Sequence, residues 1–333
     1  MQLRVAVLGA GSWGTTVAAL ASRNTPTLLW ARRSELAEEI AREHTNERYL
    51  HGHPLPPDLR ATASLEEAVR EADVLILGVP SHGLRPVLEE VGRWIRPWVP
   101  LVNLAKGLEE GSNRRMTEMI GEVLPEHRAA VLTGPNLARE IMAGYAAASV
   151  IAIDDPMIGR QLQGVFHSGL FRVYTNRDVA GCELGGALKN VIAIAAGMGD
   201  GVGVGDNTRA AVITRGLAEI TRLGVAMGGR AETFAGLAGL GDLVATCTSR
   251  HSRNRSVGEE LGRGRKIEEI VASMHMVAEG VRTTRVVMEL AARHGVEMPI
   301  AREVYGVLYE GRTARQAYRG LVRHRAGDEG EPG

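Results

Sequence analysis

The stretch "VAVLGAGSWGTTVAAL", Val5 to Leu20, carries no charged side chain and is interrupted by glycine at positions 9, 11 and 14. Three readings compete for it: a leader peptide, a buried strand running into a helix, or a backbone cradle for phosphate. A leader needs a charged start and an unbroken apolar run. Here only Arg4 stands near the start, and the glycines break the run. The spacing Gly9-x-Gly11-x-x-Gly14, placed between a strand pattern and a helix pattern, predicts a tight turn at a helix N-terminus. Gly9 permits the turn, Gly11 lets backbone approach a pyrophosphate, and Gly14 lets helix pack closely on strand. The first N–H groups of the helix then face the anion. Ser12 and Trp13 lie on this cradle and are expected to touch a dinucleotide.

Outward from this turn, short β-like runs alternate with helix-patterned segments. Strands are predicted at Leu3–Leu8, Thr27–Trp30, Val74–Val79, Leu101–Leu104, Ala130–Thr133, Ser149–Ile153 and Phe171–Tyr174. Near-continuous apolar strands between helices predict a sheet buried on both faces. After about Asp178 the pattern becomes helical and glycine-rich, with no alternating strand. The expected fold is α/β: a Rossmann-like, doubly wound, mostly parallel sheet over residues 1–178. An all-α domain over 179–325 follows, and a polar tail over 326–333 is expected to be disordered.

Length and charge narrow the function classes. The 333 residues suit two domains. Lys plus Arg and Asp plus Glu balance at 39 each, so no overall field draws the chain to nucleic acid or to an anionic membrane. Two cysteines, Cys182 and Cys247, provide neither a disulfide framework nor zinc spacing. No His/carboxylate set has metal-ligand spacing, and no segment reads as bilayer-spanning. A soluble cytoplasmic protein with no metal and no membrane insertion is expected. The basic segment Arg312–Arg325 reads as a solvated helix face or a surface contact.

Three further segments carry chemistry. The second predicted strand is followed by Ala31, Arg32 and Arg33, where a NAD-selective site would place an acidic side chain for the ribose 2′-OH. A guanidinium pair suits a 2′-phosphate instead. NADPH or NADH is therefore expected as cofactor, with NADPH preferred; two exposed loop arginines are the alternative. In "ELGGALKNVIAIAAG", Lys189 has only small and apolar neighbours at helical spacing. Burial would depress its pKa and make it a general acid/base, unless it reaches out to solvent. In "GLGDLVATCTSRHSRNRS", Asp242 precedes Ser252, Arg253 and Asn254, which form either an anion pocket or a solvated loop.

Together these segments resemble the bacterial type of NAD(P)-dependent glycerol-3-phosphate dehydrogenase. The likeness runs over nearly the whole chain: "GAGSWGTTVA" from Gly9, "NERYLHGHPLPPDLRATASLEEA" from Asn46, "VPSHGLRPVL" from Val79 and "AKGLE" from Ala105. It continues in "LTGPNLAREI" from Leu132, "GALKNVIAIAAG" from Gly186, "GLGDLVATCTSRHSRN" from Gly239 and "VAEGV" from Val277. The resemblance implies reduction of dihydroxyacetone phosphate to sn-glycerol 3-phosphate, the backbone of phospholipids. It implies catalysis by Lys189, and a substrate site of Lys106, Gly134, Asn136, Lys189, Asp242, Ser252, Arg253 and Asn254. Lys106, Ala138, Arg253, Val277 and Glu279 are implied to reach the cofactor as well. Asn190 and Asp242 are candidates to orient the lysines, and the site is expected between the two domains. Asn136 departs from the Ser or Thr usual after "GP"; its amide can still donate, with a different reach. By analogy with helical second domains that pack together, a homodimer is expected. Two other readings stay open at this point: a β-hydroxyacid or 6-phosphogluconate-type dehydrogenase, and a redox sensor that holds NADPH without turnover.

Overall fold

The computed structural model describes residues 3–274 and 278–323. The chain divides into two compact units. One comprises the residues up to Ala105 with Arg114–Val179; the other comprises Lys106–Asn113 with the chain from Ala180 onward.

The first unit is built on eight strands: β1 (Val5–Leu8), β2 (Thr27–Trp30), β3 (Arg60–Thr62), β4 (Val74–Leu77), β5 (Leu101–Asn103), β6 (Ala129–Thr133), β7 (Ala147–Ala152) and β8 (Phe171–Asn176). Their order across the sheet is β3-β2-β1-β4-β5-β6-β7-β8. Every neighbouring pair is parallel except β6 and β7. β1 and β4 are buried at every position. Side chains alternate across a strand, so Val5, Val7, Ile76 and Val102 meet one core with the Ser12–Ser22 helix. Ala6, Leu8, Leu75, Leu77 and Leu101 meet a second core with the Leu84–Val91 and Met116–Val123 helices.

Two features of the sheet depart from pattern reading. β3 is short, and Arg60 is exposed, so its pairing with β2 leaves no apolar signature. The return from β6 to β7 holds only the short Ala138–Met142 helix. A parallel crossover usually needs a longer helix, and β7 runs antiparallel instead.

The second unit is helical. Its axis is the Val179–Val202 helix, buried from Gly181 to Gly199. By length and composition this helix could cross a membrane, contrary to the expectation from the sequence. Since 89% of its apolar window is buried inside the protein, it is a core helix. Leu184, Leu188, Val191, Ile192 and Ile194 form one cluster with Val257, Val287, Leu290 and Val304 from helices around it. Leu108 joins the same cluster, and Asn113 Nδ2 donates to Glu289 Oε2 at 2.9 Å. A short piece of the first half of the sequence is thereby held by the second unit. In the Ala314–Arg323 helix, Ala314, Ala317 and Tyr318 are buried while Arg315 and Arg319 are exposed, so its basic face is a solvated one. The tail 326–333 lies outside the described residues.

Glycine sets how closely these helices approach. A methyl group built at Gly197 would strike the Arg255 carbonyl oxygen, and one at Gly258 would strike that of Ile194. A Cβ at Gly262 would lie 2.7 Å from the Gly201 Cα. The Arg253–Gly262 helix is therefore in backbone contact with the long helix, which fixes the depth of its N-terminus. Gly258→Ala is expected to destabilise the chain by about 1–3 kcal/mol, the usual cost of overpacking. Urea unfolding followed by circular dichroism measures this, and an unchanged midpoint would contradict the packing described.

Candidate functional site

The glycine turn closes the carboxyl end of β1. Gly9 has φ +116°, a conformation that favours glycine. A Cβ there would lie 2.7 Å from the Gly78 carbonyl oxygen, and one at Gly14 would strike the Gly9 carbonyl. Gly78 follows β4, and a Cβ on it would lie 3.2 Å from the Gly14 Cα. The turn, the helix and β4 thus pack through three glycines, one of which sequence reading did not include. Gly11 differs. Its φ of −72° is accessible to any residue, and a Cβ on it would meet no atom within 4 Å. The protein has no steric need of glycine there, whereas a backbone-bound pyrophosphate would. The helix that follows has no acid in its first turn and no side-chain cap. This cradle fits a dinucleotide.

Asn46 holds the cradle and was not singled out from the sequence. It is fully buried. Its Nδ2 donates to the Ala10 carbonyl at 3.1 Å and to Thr15 Oγ1 at 2.9 Å, and its Oδ1 accepts from the Tyr49 N–H at 3.2 Å. Ser12 and Trp13 are half-buried on the turn. The Trp13 ring tilts against Phe171 at 6.5 Å, so it also packs the core of this unit.

Arg32 and Arg33 follow β2 and are exposed, with no carboxylate in the place a NAD-selective site uses. Gly134 follows β6 with φ +137°, and Ala138 opens the Ala138–Met142 helix. The Asn136 amide is tied to β7. Its Oδ1 accepts from Ser149 Oγ at 3.1 Å and its Nδ2 donates to the Ala148 carbonyl at 3.3 Å. One Nδ2 hydrogen is left for other use.

In the second unit a single carboxylate gathers two ammonium groups. Lys189 is 4% exposed and Asp242 is 2% exposed. Lys189 Nζ donates to Asp242 Oδ1 at 2.7 Å and also to Thr246 Oγ1. Lys106 Nζ donates to Asp242 Oδ2 at 2.6 Å. Lys189 is therefore buried rather than directed to solvent. Its own helix face carries no charge, and Asp242 and Lys106 arrive from segments distant in sequence. Burial pushes the Lys189 ammonium down to about 8; the Asp242 carboxylate opposes this and the Lys106 charge adds to it. Burial pushes the nearby Cys247 thiol up to about 12, so it is not a nucleophile.

The predicted anion cluster lies at the start of the Arg253–Gly262 helix. Ser252 is its N-cap, with Oγ accepting from the Arg255 N–H at 3.3 Å. Arg253 is exposed at its surface, yet crowding by surrounding protein lowers the pKa of its guanidinium, an effect that the Glu279 charge opposes. The Asp200 carboxylate takes Arg255 Nε at 2.8 Å and Arg209 Nη2 at 2.8 Å, which ties the start of this helix to the long helix. Asn254 is buried, and its amide lies between Asn190 and the backbone N–H of Gly280. Val277 lies outside the described residues. Lys106, Lys189, Asp242 and Asn254 are thus brought together in this unit. Thr246 was missed by sequence reading, although its position four residues after Asp242 places it on the same helix face.

The whole chain has close relatives. Residues 4–158 match the family described as NAD-dependent glycerol-3-phosphate dehydrogenase N-terminus, and residues 178–319 match its C-terminus. Over 333 residues the chain is 63% identical to glycerol-3-phosphate dehydrogenase [NAD(P)+] 2 of Sphingopyxis alaskensis, covering 100% of each. Over 327 residues it is 56% identical to glycerol-3-phosphate dehydrogenase [NAD(P)+] of Mycobacterium avium, covering 98% of this chain and 96% of the relative. The crystal structure of glycerol-3-phosphate dehydrogenase from Coxiella burnetii superposes with a TM-score of 0.92 at 38% identity, over 97% of this chain and 99% of that one. With both halves matched and identity this high end to end, the chain belongs to the NAD-dependent glycerol-3-phosphate dehydrogenase family.

Proposed function

We infer that this protein is an NAD(P)-dependent glycerol-3-phosphate dehydrogenase that reduces dihydroxyacetone phosphate to sn-glycerol 3-phosphate, reversibly. One observation carries the mechanism: two lysine ammonium groups, one of them buried, share the Asp242 carboxylate. When bound, the reduced nicotinamide cofactor supplies the hydride that the substrate C2 carbon accepts. Gly9, Gly11, Ser12, Trp13 and Gly14 would hold its pyrophosphate side, with Arg32 and Arg33 toward the ribose. Ala138, Val277 and Glu279 are proposed as further cofactor contacts, and Lys106 and Arg253 as contacts to both ligands.

Lys189 donates a proton from Nζ to the C2 oxygen as charge develops there, and in the reverse direction the neutral amine removes it. An ammonium whose pKa lies near neutrality gives up its proton readily and recovers it from solvent. Asp242 holds Nζ of both lysines in place, and Lys106 keeps positive potential at the reacting oxygen. Gly134, Asn136, Ser252, Arg253 and Asn254 are proposed to hold the rest of the substrate. Arg253 supplies the bidentate donor for phosphate, while Asn136 and Asn254 each have one amide hydrogen to offer. Binding energy at the phosphate then orients the carbonyl.

The division proposed is a cofactor domain over 1–178 and a substrate domain over 179–325, except that Lys106–Asn113 goes with the second. The same reading extends to a cytoplasmic homodimer that makes glycerophospholipid precursor without inserting in a membrane or binding nucleic acid.

Steady-state oxidation of NADPH with dihydroxyacetone phosphate tests the activity; no oxidation would overturn it. Lys189→Ala is expected to lower kcat by roughly 10²–10⁴-fold with cofactor affinity near wild type. In the wild type, reduction is expected to fall as pH rises through about 8, where the ammonium is lost, while the reverse oxidation rises. A flat profile in both directions would remove Lys189 from the proton step. Arg253→Ala is expected to raise KM for dihydroxyacetone phosphate at least tenfold, about the 1.4 kcal/mol that a charge-assisted bond supplies, with a smaller change in kcat. Arg32→Ala and Arg33→Ala are expected to raise the Kd of NADPH more than that of NADH; equal losses would mean that neither guanidinium meets the 2′-phosphate.

A further inference from the structure

A chain of hydrogen bonds, all of one polarity, crosses the second unit. The backbone N–H of Gly280 donates to Asn254 Oδ1 at 2.9 Å. Asn254 Nδ2 donates to Asn190 Oδ1 at 2.9 Å. Asn190 Nδ2 donates to the backbone carbonyl of Lys106 at 3.0 Å. Asn190 and Asn254 are both buried, so each link is costly to leave unmade. The first donor lies in the opening turn of the Glu279–His294 helix, where N–H groups have no partner within the helix. The last acceptor belongs to the segment that carries one of the two lysines on Asp242.

The surrounding packing is built for this path. A Cβ on Gly280 would lie 2.7 Å from the Asn190 carbonyl oxygen and 2.8 Å from Asn254 Oδ1. Only glycine lets the helix end come that close. Because each amide has one acceptor oxygen, the order of donors is fixed: Asn190 cannot serve Lys106 unless its oxygen faces Asn254. Neighbouring links also polarise one another in a buried chain.

We propose that Asn190 and Asn254 are positioning residues, a directional amide relay through which the segment bearing Glu279 sets the main chain at Lys106. This deepens the proposed function and rests on its placing Glu279 at the cofactor and Lys106 at the substrate. Its consequence is coupling: occupancy at the Glu279 segment tightens substrate binding through Lys106. The relay uses Asn254 Oδ1 and one Nδ2 hydrogen, and the other Nδ2 hydrogen stays available to the substrate.

The test is a binding cycle on the full chain with two reduced ligands, NADPH and sn-glycerol 3-phosphate, which cannot react with each other. Calorimetry gives the Kd of sn-glycerol 3-phosphate with and without saturating NADPH. In the wild type NADPH is expected to tighten that Kd by about fivefold or more, in the range typical of coupled sites. Asn190→Asp keeps the acceptor for Asn254 but, when ionised, cannot donate to the Lys106 carbonyl. Gly280→Ala disturbs the opposite end of the relay and touches neither lysine. Both are expected to reduce the ratio to less than half its wild-type value, with the Kd of NADPH alone changed less than threefold. A wild-type ratio retained in both folded variants, or a ratio of one in the wild type, overturns the relay. Failure of the wild type to bind sn-glycerol 3-phosphate at all overturns instead the substrate reading, and with it the proposal that rests on it.

Discussion

The Asp242 carboxylate is the constraint on which the second unit turns. It is nearly inaccessible to water and lies between two ammonium groups. Buried charges are tolerated only when paired and hydrogen-bonded, and here each oxygen has its own lysine. The arrangement leaves one net positive charge in a place of low polarity. Burial pushes the Lys189 ammonium down to about 8; the Asp242 carboxylate opposes this and the Lys106 charge adds to it. Thr246 Oγ1 accepts a second bond from Nζ, which leaves the third ammonium hydrogen for another acceptor, and its own hydroxyl donates to the Asp242 carbonyl at 2.7 Å.

Such a group needs a rigid frame. The frame is the buried Val179–Val202 helix, which carries Lys189 and Asn190 side by side and packs through Gly197 and Gly201 against the Arg253–Gly262 helix. Backbone-to-backbone contact leaves no side chain whose rotation could move one helix against the other. The residues at the start of the second helix are therefore held at a set depth relative to Lys189. Small residues in this stretch do not weaken the helix, because tertiary burial on all sides offsets their low propensity.

The first unit meets a different constraint, the close approach of main chain to main chain. Gly9, Gly14 and Gly78 let β1, β4 and the first helix meet without side chains, and Asn46 locks the turn from outside. Gly11 alone faces open space. Where each Cβ would go separates the glycines that packing requires from the one that it does not.

Periodicity was enough to read the two-unit plan, β1, β2 and β4 to β8, and the helices whose apolar stripes are regular, such as Leu84–Val91 and Pro156–Phe166. The glycine spacing after β1 and the lone Lys189 were visible too, because φ, close approach and the cost of a buried charge are local properties of residue type. What pattern could not decide was partnership. β3 has no apolar signature and exists because β2 offers it hydrogen bonds. The antiparallel β7 follows from a connection too short in helix for a crossover. Lys106–Asn113 sits among strands in the sequence but is claimed by the helical core through Leu108 and Asn113. Only folding brings Asp242 to both lysines, and Asn254 and Gly280 to Asn190, from positions far apart along the chain. Residue type and spacing act over a turn or a strand, whereas a charge or an amide is satisfied by whatever the tertiary packing places within 3 Å of it.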